Sequence, residues 1–392
     1  MSTLVVTNDF PPRTGGIESF VAEVTRRLPA ASTGAAATVV VHTARQRGSF
    51  AVDADLAARG VHVVRDPAPL LVPTPAITSR LVATAREHDV DRVWFGAAAP
   101  LGLAAAALHR AGARRSVATT HGHETWWSSL PGSREALHRI GERVDTLTYL
   151  GPWCRSRIER PLSPAARARM RRLTPGVDAG TFRPDAGGEA VRARYGLLGR
   201  PVVVCVSRLV ARKGQDVLIA ALPAIRRRVP DAALLIVGDG PRRAALHRQV
   251  RRAGLEEHVV LTGAIPWAQT PAYYAAGDVF AMPTRTRLGG LEPEALGICY
   301  LEAAATGLPV VAGDSGGAPD AVLDGENGWV VPGRDVAAVA DRVARLLLDP
   351  ATAAAFGRRG REWVSRSWSW SEQTRRLAAL LAGQDVDEPP TS

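Results

Sequence analysis

The sequence predicts an α/β protein built from two doubly wound parallel-sheet domains facing a central cleft, and three observations carry that prediction. The chain has 392 residues, beyond the size at which a single hydrophobic core stops growing. Short β-rich runs alternate with Ala-rich helical stretches, the order that builds parallel sheets flanked by helices. After a Pro- and Gly-bearing loop, the same alternation starts again.

In the first half the predicted strands are Leu4–Thr7, Thr38–His42, Val61–Val64, Arg92–Phe95, Ser116–Thr120 and Thr146–Tyr149. Helical patterns over Ile17–Leu28, Ser79–His88 and Leu101–Ala111 lie between them. Thr174-Pro-Gly-Val-Asp178 through Phe182–Gly188 reads as the linker. In the second half the strands are Pro201–Val206, Ala233–Val237, Val259–Thr262, Val279–Met282 and Pro309–Ala312. The helices there are Gln215–Arg228, Arg242–Ala253, Val336–Leu348 and Ala351–Trp363. The expected domains are therefore 1–184 and 185–370, with a last helix at 371–384 packing back on the first and a disordered tail at 385–392. Ligands of such sheets bind beyond the carboxyl ends of the strands, which directs attention to the loops that follow each one.

Composition narrows the class. Hydrophobic residues make up 46% and charged residues 22%, as in an ordinary globular protein. No apolar run approaches the roughly 20 residues of a membrane-spanning helix. Met1 runs straight into a strand pattern without the basic, apolar and cleavage regions of a signal peptide, so a cytoplasmic location is expected. Cys154, Cys205 and Cys299 are odd in number and widely spaced, which suits buried thiols rather than disulfides or a metal cage. The net charge of +11 is compatible with nucleic acid, anionic headgroups or phosphorylated substrates, and equally with a generally Arg-rich composition. Lys213 is the only lysine among 49 basic side chains. A compact ammonium suits a phosphate pocket where a planar guanidinium fork does not fit.

The candidate chemistry follows the predicted strands. Gly15 and Gly16, within Asn8–Ile17, permit close backbone approach and open a helix whose first amides attract phosphate. Thr120-His-Gly-His-Glu124 closes another strand. Its two histidines and glutamate lack further ligands for a metal, so His121 reads as a hydrogen-bonding or polarising group. Ser207-Arg-Leu-Val-Ala-Arg-Lys-Gly214 puts Arg208 and Lys213 between a strand and a helix, where a fork and a point charge can grip a diphosphate. Glu294-Ala-Leu-Gly-Ile-Cys-Tyr-Leu-Glu302 is the most specific constellation. A helix starting near Gly297 sets its first amides between two carboxylates about two turns apart. Glu294 and Glu302 can then accept hydrogen bonds from hydroxyls at opposite ends of one elongated ligand. Gly238-Asp-Gly-Pro241 and Gly313-Asp-Ser-Gly-Gly-Ala-Pro319 are further turns at the same edge.

In this order the segments resemble the family-4 retaining glycosyltransferases of the two-Rossmann (GT-B) type, over nearly the whole chain. Val5-Val-Thr-Asn-Asp-Phe-Pro-Pro, Val93-Trp-Phe-Gly-Ala-Ala-Ala-Pro100, the His121 segment, Thr174–Asp178 and Ala281–Arg287 are similar to the actinobacterial phosphatidylinositol-mannoside mannosyltransferases among them. The resemblance implies a GDP-mannose donor, a mannosylated phosphatidylinositol acceptor and an α-1,6 product. It implies that Gly16 amides meet the donor diphosphate and that Arg208 and Lys213 neutralise the leaving group. The Ile265 backbone would contact the base, while Glu294 and the amides of Gly297, Ile298 and Cys299 hold the sugar. Glu302 would bind ribose, with His121 beside the reacting face. No metal or other cofactor is implied. Trp126-Trp127 and the Pro69–Pro75 loop depart from the family pattern, both in the half expected to bind the acceptor.

Charge then suggests a mechanism. Departure of the nucleotide makes a dianion, which Arg208, Lys213 and helix amides stabilise. Retention, which the resemblance implies, with no obvious enzyme nucleophile makes attack on the same face the expectation. For peripheral contact with an anionic membrane the candidates are Arg155, Arg157, Arg160, Arg167, Arg169, Arg171 and Arg172. The Pro69-Leu-Leu-Val72 loop with Arg80 and Arg86 is the second candidate. Asp53-Ala-Asp55 and Asp385-Val-Asp387 match a metal-binding Asp-x-Asp only formally. The alternatives are a relative that uses a UDP- or ADP-sugar or a soluble acceptor, and a basic nucleic-acid binder. The last leaves both glutamates unused, and an aromatic content of 5% with no binding module argues against it.

Overall fold

The computed structural model describes residues 2–13, 15–31 and 38–386. The chain divides into two compact units, one running to Gly176 and resuming at Trp370, the other spanning Val177–Ser369.

The first unit holds a seven-stranded sheet of order β3-β2-β1-β4-β5-β6-β7, parallel throughout. The strands are β1 (Ser2–Thr7), β2 (Thr38–Ala44), β3 (Val61–Asp66), β4 (Arg92–Phe95), β5 (Arg115–Ala118), β6 (Thr146–Tyr149) and β7 (Arg171–Arg172). β1 is buried along its whole length, as a central parallel strand covered on both faces must be. Helix Gly16–Ala31 and the terminal helix Trp370–Leu381 pack on this sheet, and Val24, Leu28, Leu377, Leu380 and Leu381 share one core. The second unit holds a six-stranded parallel sheet of order β10-β9-β8-β11-β12-β13. Its strands are β8 (Val202–Val206), β9 (Ala233–Val237), β10 (Val259–Leu261), β11 (Val279–Met282), β12 (Val310–Gly313) and β13 (Gly328–Val331). In both sheets the order reverses beside the first strand, which opens a crevice at the carboxyl edge.

Several elements depart from expectation. The units part after Gly176, earlier than residue 184. The reason is Arg361, whose guanidinium donates to the carbonyls of Ala179 and Phe182 and so ties the linker's second half into the second unit. Val177 adds a backbone bond to Trp368 at 2.6 Å. β7 is two arginines, without an apolar pattern, and β13 is a four-residue strand that begins on glycine; neither was expected. Helix Pro131–Arg143 buries only Leu137, Ile140 and Gly141, too narrow a stripe to read. Asp53 and Asp55 sit on helix Phe50–Ala57. There Asp53 pairs with Arg65 at 2.6 Å and Asp55 with Arg59 at 3.3 Å. The expected tail 385–392 lies outside the described residues from position 387 onward, while Asp385 pairs with Arg171 at 2.8 Å.

Candidate active site

In the second unit the loop after β8 carries Ser207–Gly214 and the helix Gln215–Arg228 follows it. Gln215 is 1% exposed and donates to the Ser207 hydroxyl at 2.9 Å and the Arg208 carbonyl at 3.1 Å, which clamps the loop from below. A second clamp is Arg285, which grips Asp216 at 2.7 and 2.9 Å and donates its amide to the Arg212 carbonyl. Arg208 stays exposed and has no ion-pair partner among the described residues. Lys213 is buried, and its Nζ lies 2.7 Å from Glu294 Oε2. Burial alone would strip the lysine of its charge. The Glu294 carboxylate overrides that and raises its pKa above the usual value. The lone lysine and the first glutamate of the motif are therefore one ion pair, a partnership their spacing does not announce.

Glu294 is buried and enters from the loop before helix Ile298–Ala305. Its amide donates to Ser315 Oγ at 3.1 Å, and Gly317 donates back to its carbonyl at 2.8 Å, so the turn after β12 holds it in place. Arg212 reaches both Glu292 at 3.5 Å and Glu294 at 3.7 Å. Gly297 caps the helix with φ +82°, and a β-carbon there would stand 2.6 Å from the Tyr300 ring. The first amides of that helix, those of Ile298 and Cys299, have no acceptor within the helix. Cys299 turns its thiol toward Met282 Sδ at 3.7 Å, so only its backbone is available to a ligand. Burial raises that thiol and holds it protonated. Glu302 is half-buried in the same helix and accepts from the Tyr274 hydroxyl at 2.7 Å. Burial raises its carboxyl pKa, with Tyr274 and Lys213 countering. Ile265 follows β10, and no described residue accepts from its amide or donates to its carbonyl. Arg208, Lys213, Glu294, Gly297, Ile298, Cys299, Glu302 and Ile265 thus belong to one unit and lie beyond the carboxyl ends of its strands.

The sequence reading missed Gln215, Ser315, Arg285 and Tyr274, which position those groups. Gln215 stands beside the Lys-Gly motif and was within reach of inspection. Ser315 and Arg285 lie inside segments already singled out, but their partners, like that of Tyr274, lie across long sequence separations.

In the first unit Gly15 and Gly16 are exposed at the start of helix Gly16–Ala31, and Thr14 lies outside the described residues. Glu18 lies against this end, where a β-carbon on Gly15 would meet its Oε2 at 2.2 Å. A carboxylate at a helix start is favourable, and an incoming phosphate meets that charge first. Asp9 nearby has its pKa raised, by burial and then by Glu18.

His121 closes the loop after β5. Its Nε2 is 2.6 Å from the Gly96 carbonyl, and since a carbonyl only accepts, Nε2 carries the proton and Nδ1 is the acceptor. The His121 amide donates to buried Glu124 at 2.9 Å, and Phe20 packs edge-on at 5.2 Å. Burial lowers the imidazole pKa from 6.5 to about 4, so the ring is neutral at pH 7. A depressed native value means that the unfolded chain protonates first. The stabilising contribution is therefore complete above pH 6.5 and lost as pH falls toward 4. Denaturant unfolding of wild type and His121→Asn at pH 7 and pH 5 is expected to show wild type losing up to a few kcal/mol more on acidification, about 1.4 kcal/mol per pKa unit. A difference that does not change with pH would contradict this assignment.

The side chains of the basic run are held by hydrogen bonds and ion pairs. Arg167 donates to the carbonyls of Glu159, Arg160 and Leu162, Arg169 to Gly141, and buried Arg172 to Leu150. Arg171 pairs with Asp385, Arg155 with Glu159, and Arg157 stacks on Trp153. Arg80 is likewise committed, gripping buried Asp66 at 2.7 and 2.9 Å. Burial would raise the Asp66 pKa, but Arg80, the Ala68 amide and His42 hold it at about 2. Arg86 remains exposed. Leu70 and Val72 are 51% and 43% exposed around a buried Leu71, whose backbone pairs with the Asn8 amide group at 2.7 and 2.8 Å. No described helix is long and apolar enough to cross a membrane.

Comparison with known proteins agrees with this geometry. The model described as Glycosyltransferase Family 4 matches residues 14–181, and the one described as Glycosyl transferases group 1 matches residues 189–363. The chain is 51% identical to the GDP-mannose-dependent alpha-(1-6)-phosphatidylinositol monomannoside mannosyltransferase of Mycolicibacterium smegmatis, over 97% of this chain and 98% of that protein. It is 48% identical to the protein of the same name from Mycobacterium tuberculosis H37Rv, over 98% of each chain. The Corynebacterium glutamicum GDP-mannose-dependent monoacylated alpha-(1-6)-phosphatidylinositol monomannoside mannosyltransferase is 42% identical over 97% and 98%. Anabaena Alr3699/HepE, solved with UDP, shares the fold at TM-score 0.78 and 21% identity, over 98% of this chain and 100% of its own. So does Thermosynechococcus elongatus sucrose-phosphate synthase, at 0.74 and 22%, over 98% and 99%. The two parallel sheets are thus those of GT-B glycosyltransferases, and the chain belongs to the family-4 glycosyltransferases, in the branch that the mycobacterial and corynebacterial phosphatidylinositol monomannoside mannosyltransferases represent.

Proposed function

We propose that this protein transfers mannose from GDP-mannose to a phosphatidylinositol monomannoside and forms an α-1,6 linkage with retention. The observation that carries the reading is full-length identity of 51% and 48% to enzymes bearing that activity in their names. It is supported by the buried Lys213–Glu294 pair and the adjacent free Arg208.

In this reading Arg208 and Lys213 neutralise the diphosphate, with the Gly297, Ile298 and Cys299 amides adding partial positive charge. Preorganised donors of this kind cost no reorganisation as the dianion develops. Glu294 holds the sugar, Glu302 the ribose, and the free backbone of Ile265 the base. Neutral His121, in the first unit, carries an acceptor at Nδ1 that suits a hydroxyl donor. The anomeric carbon–phosphate oxygen bond breaks while the acceptor oxygen bonds the same face. The acceptor hydroxyl proton passes to the departing phosphate, and GDP leaves. No step passes through a metal, so turnover is expected to persist in a chelator.

The exposed Leu70 and Val72 with Arg86 support peripheral contact with an anionic membrane, on the inner face of the plasma membrane. The protein incubated with a membrane lipid extract and GDP-mannose, UDP-glucose or ADP-glucose tests both substrates. The expected result is one added hexose on a phosphatidylinositol mannoside, with GDP-mannose alone. Product formed from UDP-glucose but not from GDP-mannose would overturn the donor assignment.

A further inference from the structure

Glu302 divides its two oxygens between different tasks. Oε2 accepts from the Tyr274 hydroxyl at 2.7 Å. Oε1 takes no hydrogen bond from any described residue, and it is not among the buried unpaired atoms, so it remains accessible. Tyr274, on helix Thr270–Ala275, is fully buried and cannot swing. Phe182 stands edge-on to its ring at 5.6 Å and Phe280 lies tilted against it at 5.7 Å. A rigid donor fixes one end of a flexible carboxylate and leaves the other oxygen without a protein partner.

We propose that Tyr274 is a positioning residue that holds Glu302 in the orientation in which its free oxygen receives the ribose hydroxyls of the donor nucleotide. The proposal rests on the reading of Glu302 as the ribose carboxylate. A glutamate side chain has three rotatable bonds and loses entropy when a ligand orders it, and the tether removes that cost before the nucleotide arrives. The hydroxyl also favours the ionised carboxylate over the acid. Burial disfavours ionisation, and the countering groups are Tyr274 and Lys213, with the Cys299 thiol the other titratable neighbour. Burial and Glu302 together raise the phenol pKa well above its ordinary range, so Tyr274 stays protonated and remains a donor.

The test compares GDP with 2′,3′-dideoxy-GDP by titration calorimetry. The two share base and phosphates, so phosphate titration cancels in their ratio. Wild type is expected to prefer GDP. Tyr274→Phe should lose about tenfold of that preference, the size of one hydrogen bond to a charged group, while dideoxy-GDP binds as before. The loss should deepen as pH falls, because without its donor Glu302 protonates at higher pH. The double variant Tyr274→Phe/Glu302→Gln should match Glu302→Gln alone, since both act through one carboxylate.

A role confined to packing would weaken both nucleotides equally, independently of pH, and that result would overturn the proposal. So would additive losses in the double variant. If Glu302→Gln itself keeps the full preference for GDP, the ribose reading fails first and takes the Tyr274 role with it. Loss of the preference in Glu302→Gln but not in Tyr274→Phe would remove the tyrosine's role alone.

Discussion

Lys213→Met is expected to lower kcat about a thousandfold, the scale seen when a preorganised charge is removed from a transition state. Two effects add in one side chain. The ammonium is the buried cation of the phosphate loop, and its 2.7 Å contact with Glu294 is the main compensation for that buried carboxylate. Arg212, at 3.7 Å, is too far to replace it. Breaking a buried pair from one side costs about 3–5 kcal/mol, because a charge is left uncompensated. The single variant should therefore also be less stable. Lys213→Met/Glu294→Gln should regain stability without regaining turnover, which separates the two effects. Lys213→Arg keeps the charge, but its planar fork does not fit a site where the lysine side chain is 11% exposed, so substantial loss is expected there as well. Turnover within tenfold of wild type in Lys213→Met would remove the lysine from the reaction.

Gly214→Ala should disable donor binding without touching a charged group. Gly214 has φ +77°, and a β-carbon there would stand 2.0 Å from the Pro283 carbonyl oxygen, which is backbone and cannot turn away. The loop would have to lift, carrying Arg208 and Lys213 with it. The expected destabilisation is about 2–4 kcal/mol, left-handed strain plus the clash, with loss of measurable GDP binding by calorimetry. Gly196→Ala is the control, since it shares a positive φ of 66° but meets nothing within 4 Å. It should cost only about 1–2 kcal/mol and leave GDP affinity unchanged. Equal behaviour of the two variants would mean that loop height does not set the phosphate site.

Most of the proposed donor site was legible as a cluster because its residues come in short runs at strand ends. Arg208 and Lys213 share one loop, and Glu294, Gly297 and Glu302 share one loop-helix segment, so chain geometry keeps them close. The surroundings of the arginines were not legible. A run such as Arg167, Arg169, Arg171 and Arg172 appears as charge density along the chain. A guanidinium has five donors, however, and in the fold these four find carbonyls or Asp385. Arg80 looked free for the same reason, because its partner Asp66 is on the preceding strand and fully buried.

The sequence by itself determined the two parallel sheets, most of their strands and the motif that gathers cations and carboxylates at one edge. Strand and helix periods are local properties of the chain, and the carboxyl edge follows from parallel connectivity. Only the tertiary structure decided that Lys213 pairs with Glu294, that His121 is neutral with Nδ1 open, and that Tyr274 holds Glu302. Each of those depends on residues far apart in sequence meeting in a water-poor interior. There, burial and a single partner set both charge and direction, and no spacing along the chain records that meeting.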